Sequence, residues 1–162
     1  MRKEELLQEF RTWLTEHEIE DVEVAEGVGP EERFTAITFP IDEEGALPDD
    51  IIATLSEGGQ CYFCIEYCDI PEVDEGELYR FVNDLNQLTF LTVTVEDGCL
   101  CFSYALSQDY LAGGELLVKA FFDIWDAVDV LSEEVCDAFG LATAEAEEEA
   151  TEDEASEEED AQ

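Results

Sequence analysis

The fold is decided by residues 74–106, which read DEGELYRFVNDLNQL, TFLTVTV, EDG and CLCFSYAL in succession. Acidic residues open the first run, and apolar residues then recur at spacings of three and four, which predicts a helix from Asp74 to Leu88. The Asp97-Gly98 pair stands between two alternating runs and predicts a β-hairpin. We therefore expect a helix that leads directly into a hairpin.

The remaining sequence predicts two further helices and three further strands. The helices are expected from Lys3 to about His17 and from about Glu115 to about Gly140, and the strands at Val22–Ala25, Phe34–Ile41 and Gln60–Asp69.

Residues 42–59 are the ambiguous part of the chain. DEEGALPDD (42–50) is typical of a loop, and IIATLSE (51–57) suggests one or two helical turns. The predicted order is thus α-β-β-β-α-β-β-α. Because strands joined by short turns pair as antiparallel neighbours, this order indicates an α+β domain with an antiparallel five-stranded sheet and helices on one face.

The charge of the chain is extreme, with 45 acidic and 6 basic residues among 162 and a net charge of −39. Such a field repels nucleic-acid phosphates and anionic lipid, so we expect neither nucleic acid nor membrane as a partner. It favours basic or amphipathic proteins, or cations. Two alternatives stay open: the charge serves only solubility, or the host is adapted to salt.

The length fits one domain, which we place at residues 1–140. Residues 145–160 contain eleven acidic residues and no basic one, so we predict a disordered acidic tail at 141–162. A role of this tail as an acidic mimic or cation buffer is a further alternative. No signal peptide or membrane span is recognisable, so we expect a cytoplasmic protein with reduced cysteines.

The cysteines are the most tempting chemical feature. Cys61 and Cys64 lie in one predicted strand, where their side chains point to opposite faces, and no turn residue separates them. A zinc knuckle is therefore disfavoured, and we expect cysteine packing without metal or cofactor. Cys64 with Cys68, and Cys99 with Cys101, can share a face, so a thiol- or metal-dependent activity of these four is the alternative function.

Other catalytic patterns are weak. His17 is the only histidine, and its place at a predicted helix end favours a capping role over catalysis. Paired carboxylates carry no information among so many acids, and no calcium loop or phosphate-binding glycine loop is recognisable. We expect a protein that is not an enzyme.

Two helices have more apolar surface than one stripe requires. Tyr79 and Val82 lie beside the main stripe of helix 74–88, and Leu116, Ala120 and Trp125 lie beside that of the last helix. We interpret most of this surface as a wide core face, with a subunit or client interface as the alternative.

The run FVNDLN at Phe81–Asn86, the hairpin after it and the apolar pattern of the closing helix resemble the YbjN family over about residues 1–139. These bacterial domains are described as sensory transduction regulators and are similar to type III secretion chaperones. The resemblance implies an acidic cytosolic homodimer that binds other proteins, as a chaperone-like or regulatory module, and catalyses nothing.

The candidate partner surface is the hairpin face and helix 74–88, with Tyr79, Val82 and Asn86 as the partner-binding residues. Asn86 has an alternative role, in which its side chain satisfies backbone groups between the helix and the following strand. We favour this structural role for Asn86.

Overall fold

The computed structural model describes residues 2–41 and 50–140, which contain three α-helices, six β-strands and two short 3₁₀ helices. The regular elements follow in the order α1 (Lys3–Glu16), β1 (Glu23–Val28), β2 (Phe34–Pro40), β3 (Asp50–Ser56), β4 (Gln60–Asp69), α2 (Glu75–Leu88), β5 (Thr92–Glu96), β6 (Cys99–Ser107) and α3 (Gly114–Phe139). The 3₁₀ helices are Pro30–Glu32 and Gln108–Tyr110.

The strands form one sheet in the order β1-β2-β3-β4-β6-β5, and every neighbouring pair is antiparallel. The predicted α+β class with an antiparallel sheet is confirmed, whereas the predicted number of five strands is wrong. Strands β1 and β5 form the two edges of the sheet. The β5–β6 hairpin therefore lies at one edge of the sheet.

The sixth strand is β3, where the sequence suggested a helical turn. Ile51, Ala53 and Leu55 are buried, while Ile52 between them is 39% exposed. Burial that alternates from one residue to the next is typical of a strand. Strand β3 pairs with both β2 and β4. Of the predicted loop at 42–50, residues 42–49 lie outside the described residues and Asp50 begins β3, and the predicted tail at 141–162 also lies outside them.

Local signals fixed the ends of several elements as expected. The Asp74 carboxylate caps α2 by accepting a hydrogen bond from the Glu77 N–H at 3.1 Å. Asp97 and Gly98 have φ values of 51° and 77°, as a two-residue type I′ hairpin turn requires. Gly140 closes α3 in the left-handed conformation, and its N–H bonds the carbonyl of Cys136.

The buried side chains of all three helices and those of one face of the sheet form a single core. The Phe121 ring of α3 stacks on Phe39 of β2 at 4.8 Å and meets Phe63 of β4 edge-on at 5.2 Å. The opposite face, which we call the outer face, carries Tyr62 and Cys64 of β4. Within the described residues, no helix is both long enough and apolar enough to cross a membrane.

Candidate functional site

The three predicted partner-binding residues lie along α2, but they differ in what their side chains do. Tyr79 is 61% exposed. Val82 is half-buried and packs against the core. Asn86 directs its amide at strand β5. Among these three, Tyr79 alone presents a large exposed apolar side chain.

The Asn86 side chain closes the free edge of β5. Its Nδ2 donates to the carbonyls of Val82 and Val93, each at 3.0 Å, and its Oδ1 accepts from the Val93 N–H at 2.8 Å. Both backbone groups of one residue point to the same side of an antiparallel strand, so Val93 presents an N–H and a C=O at this edge. The amide therefore takes the place of a neighbouring strand, in agreement with the structural role that we favoured for Asn86.

His17 lies at the end of α1, as predicted. Its ring stacks on Trp13 at 3.9 Å, and its Nδ1–H donates to the Trp13 carbonyl at 2.8 Å. The imidazole thus adds a second hydrogen bond to a carbonyl at the helix C-terminus that already accepts the His17 backbone N–H at 3.1 Å.

The cysteines of β4 separate as strand alternation predicted. Cys61 is buried in the core, whereas Cys64 lies on the outer face. A β-bulge between Glu66 and Cys68 pairs Cys68 with Leu100, and Cys68 packs against the core. The expectation that Cys64 and Cys68 share a face is therefore wrong, because the extra residue of the bulge reverses the alternation.

Four of the thiols, those of Cys61, Cys64, Cys68 and Cys101, are held in their neutral form. Burial raises the pKa of Cys61, Cys68 and Cys101 to about 12. Burial also raises the pKa of Cys64, with smaller contributions from the charges of Glu96 and Glu66. A reactive cysteine needs a lowered pKa. Residues 2–41 and 50–140 contain no group of three or more His, Cys, Asp or Glu side chains placed to hold a metal.

We expect the free energy of unfolding to fall as the pH rises above about 9. Cys61 has a pKa of about 12 in the fold against 9.0 as a free thiol, so its stabilising contribution is complete below pH 9 and is lost towards pH 12. Between these values the unfolded chain releases a proton that the folded chain keeps, which costs up to about 1.4 kcal/mol per pH unit for each such thiol. Urea unfolding at several pH values, under reducing conditions, measures this slope.

The control is the Cys61→Ala variant, which lowers stability at neutral pH through its cavity but should show a shallower alkaline slope. Parallel curves for the two proteins would contradict a raised pKa at this thiol.

An open groove of about 510 Å³ lies where α3 faces β6 and the α2–β5 connection. It is lined by Phe90 from the connection, Tyr104 from β6, and Ala120, Asp123, Ile124 and Asp126 from α3. The volume lies within the range of roughly 300–1,000 Å³ of ligand pockets. The groove is thus large enough to receive side chains of a partner.

The groove combines an apolar wall with carboxylates. Phe90 is 57% exposed and its ring meets Tyr104 edge-on, with centroids 5.2 Å apart. Asp123 forms an ion pair with Lys119 one turn away. Asp126 has no cationic partner within the described part of the chain. An uncompensated negative charge therefore stands beside exposed aromatic surface.

Sequence reasoning did not find this groove. The sequence places Phe90 in the alternating run before the hairpin turn, and Ala120 beside the main stripe of the last helix as part of a wide core face. No sequence pattern marks the groove, because the exposure of Phe90, 57%, is a property of the folded chain.

No protein-family model matches this chain, and no curated protein or solved structure shows significant similarity to it. The resemblance to the YbjN family remains a prediction from the sequence.

Proposed function

We propose that this chain is a non-enzymatic protein-binding module, chaperone-like or regulatory, which acts on other proteins in a bacterial cytoplasm. The observation that carries the proposal is the exposed Phe90 ring, which contacts the half-buried Tyr104 at the groove beside α3. Aromatic side chains dominate binding energy at protein interfaces when a partner covers them. A groove lined by them gives a partner segment a place to bury apolar area.

The exposure of Phe90 argues for a binding role over a purely structural one. Its 57% exposed ring leaves much apolar area in contact with water, and a covering partner would gain roughly 25 cal/mol for each Å² buried. Clustered exposed apolar surface marks interaction sites more often than single exposed residues do. Phe90 is not isolated, because the half-buried side chains of Tyr104 and Ala120 line the same groove.

The resemblance to the YbjN family supports the same class of function and adds the proposal of a homodimer. Tyr79 and Val82 remain a proposed second contact for a partner, on α2. Asn86 contributes to this proposal indirectly, because its amide holds α2 against β5.

Photo-crosslinking from the groove tests the proposal. With p-benzoylphenylalanine at position 90 of the full chain, we expect discrete adducts with proteins of the native cytosol. Tyr62 is the matched control, because it is an aromatic residue, 43% exposed, on the outer face. Adducts at position 90 that do not exceed those at position 62 would contradict binding through the groove.

A further inference from the structure

We propose that the groove selects partner segments in which one or two large apolar side chains are flanked by Lys or Arg. This inference rests on the proposed function and names the chemistry of the partner. It follows from the apolar wall and the carboxylates of the same groove.

The apolar part of the recognition comes from four residues. Ile124 is buried and forms the floor, and Ala120 leaves space above α3 because its side chain is small. Phe90, which is 57% exposed, and the half-buried Tyr104 form an aromatic wall. This open shape suits side chains that project from a peptide, since a small ligand would be left largely uncovered.

The charged part comes from α3. The charge of Asp123 is already compensated by its ion pair with Lys119. Asp126 has no cationic partner in residues 2–41 and 50–140. A Lys or Arg next to the apolar side chain of a partner can pair with Asp126 at the groove. Such a pair between partly exposed groups changes affinity by a few fold, and its larger effects are on selectivity and association rate.

Two other candidate occupants of the groove, the acidic segment 145–160 and a second copy of the chain, lack the required positive charge. Residues 145–160 of this chain carry eleven acidic residues and no basic one, so Asp126 repels them. A second copy brings a net charge of −39 and only six basic residues. The negative field that repels the acidic segment and a second copy attracts a basic, apolar partner.

The test uses the full chain and three fluorescent peptides of equal length in anisotropy titrations. The first peptide has Leu and Phe flanked by Lys, the second has Glu in place of Lys, and the third has Ser in place of Leu and Phe. We expect clear binding of the first peptide alone, with an affinity that falls as salt is added.

Three variants locate the binding. We expect Phe90→Ser to weaken the first peptide about tenfold and Asp126→Asn to weaken it about threefold. Glu66→Gln is the matched control, because it removes the same charge from an exposed residue of the outer face. Urea unfolding should show that Phe90→Ser folds normally, since the side chain is mainly exposed.

Equal binding of the Lys- and Glu-flanked peptides would overturn the inference, as would equal losses for Asp126→Asn and Glu66→Gln. A dimer, measured by light scattering, that Phe90→Ser dissociates would show that a second copy covers the groove and would also overturn it. If position 90 crosslinks to proteins but no Lys-flanked peptide binds, the proposed function stands and this inference fails. If neither occurs, both fail.

Discussion

Replacement of Gly114 by alanine is expected to destabilise the fold by about 3 kcal/mol or more, at or above the upper end for overpacked cores. A Cβ at this position would lie 2.4 Å from the Phe10 backbone nitrogen and 2.5 Å from the Glu9 carbonyl carbon. These are main-chain atoms of α1, so no side-chain rotation can relieve the clash. Helix α1 must move as a unit, which pulls the buried Phe10 and Leu14 away from the core.

Chemical denaturation measures the loss, and Gly76→Ala in α2 is the matched control. A Cβ at Gly76 would approach only the Asp74 carboxylate oxygen, at 3.2 Å, and turning that side chain costs at most its N-cap hydrogen bond to the Glu77 N–H, about 1 kcal/mol. Alanine also favours a helix by up to about 1 kcal/mol over glycine. Similar losses for the two variants would contradict the close approach of α1 to α3 as the cause.

The sequence predicted the structural features that are determined by residues close together in the chain. Asp97-Gly98 requires only its own φ values to form the hairpin turn, and the apolar seam of α3 from Leu117 to Val135 is periodic and buried throughout. Strand β3 was missed because its alternation is short and includes the exposed Ile52, so a helical turn fitted almost as well. The role of Gly114 depends on the position of α1 in the fold, and no local sequence pattern predicts that position.

In the candidate site, too, local features could be predicted from the sequence and contacts between distant segments could not. Asn86 was recognised as a residue with either a binding or a structural role, because a short amide near a helix end has local partners. The groove could not be predicted, since Phe90, Tyr104 and Ile124 come from three segments that meet only in the folded chain. The β5–β6 hairpin places Phe90 beside Tyr104, and the packing of α3 on the sheet places Ile124 beside them.

Replacement of Asn86 by alanine is expected to lower the free energy of unfolding by about 2–3 kcal/mol. The variant loses the two hydrogen bonds to Val93 and the one to the Val82 carbonyl. Two backbone groups of an edge strand then lack their partner, which also opens β5 to pairing with other chains. Urea unfolding measures the stability, and amide hydrogen exchange at Val93 reports the lost bond directly.

Asn83→Ala is the control for this change, because it makes the same substitution at an exposed position one turn earlier in α2. We expect its effect to stay within about 0.5 kcal/mol. The two roles of Asn86 then separate by their readouts. If Asn86→Ala left stability and Val93 exchange unchanged but abolished crosslinking from position 90, Asn86 would contact the partner itself. Loss of stability with faster Val93 exchange instead makes Asn86 the residue that seals the sheet edge and positions α2 beside the groove.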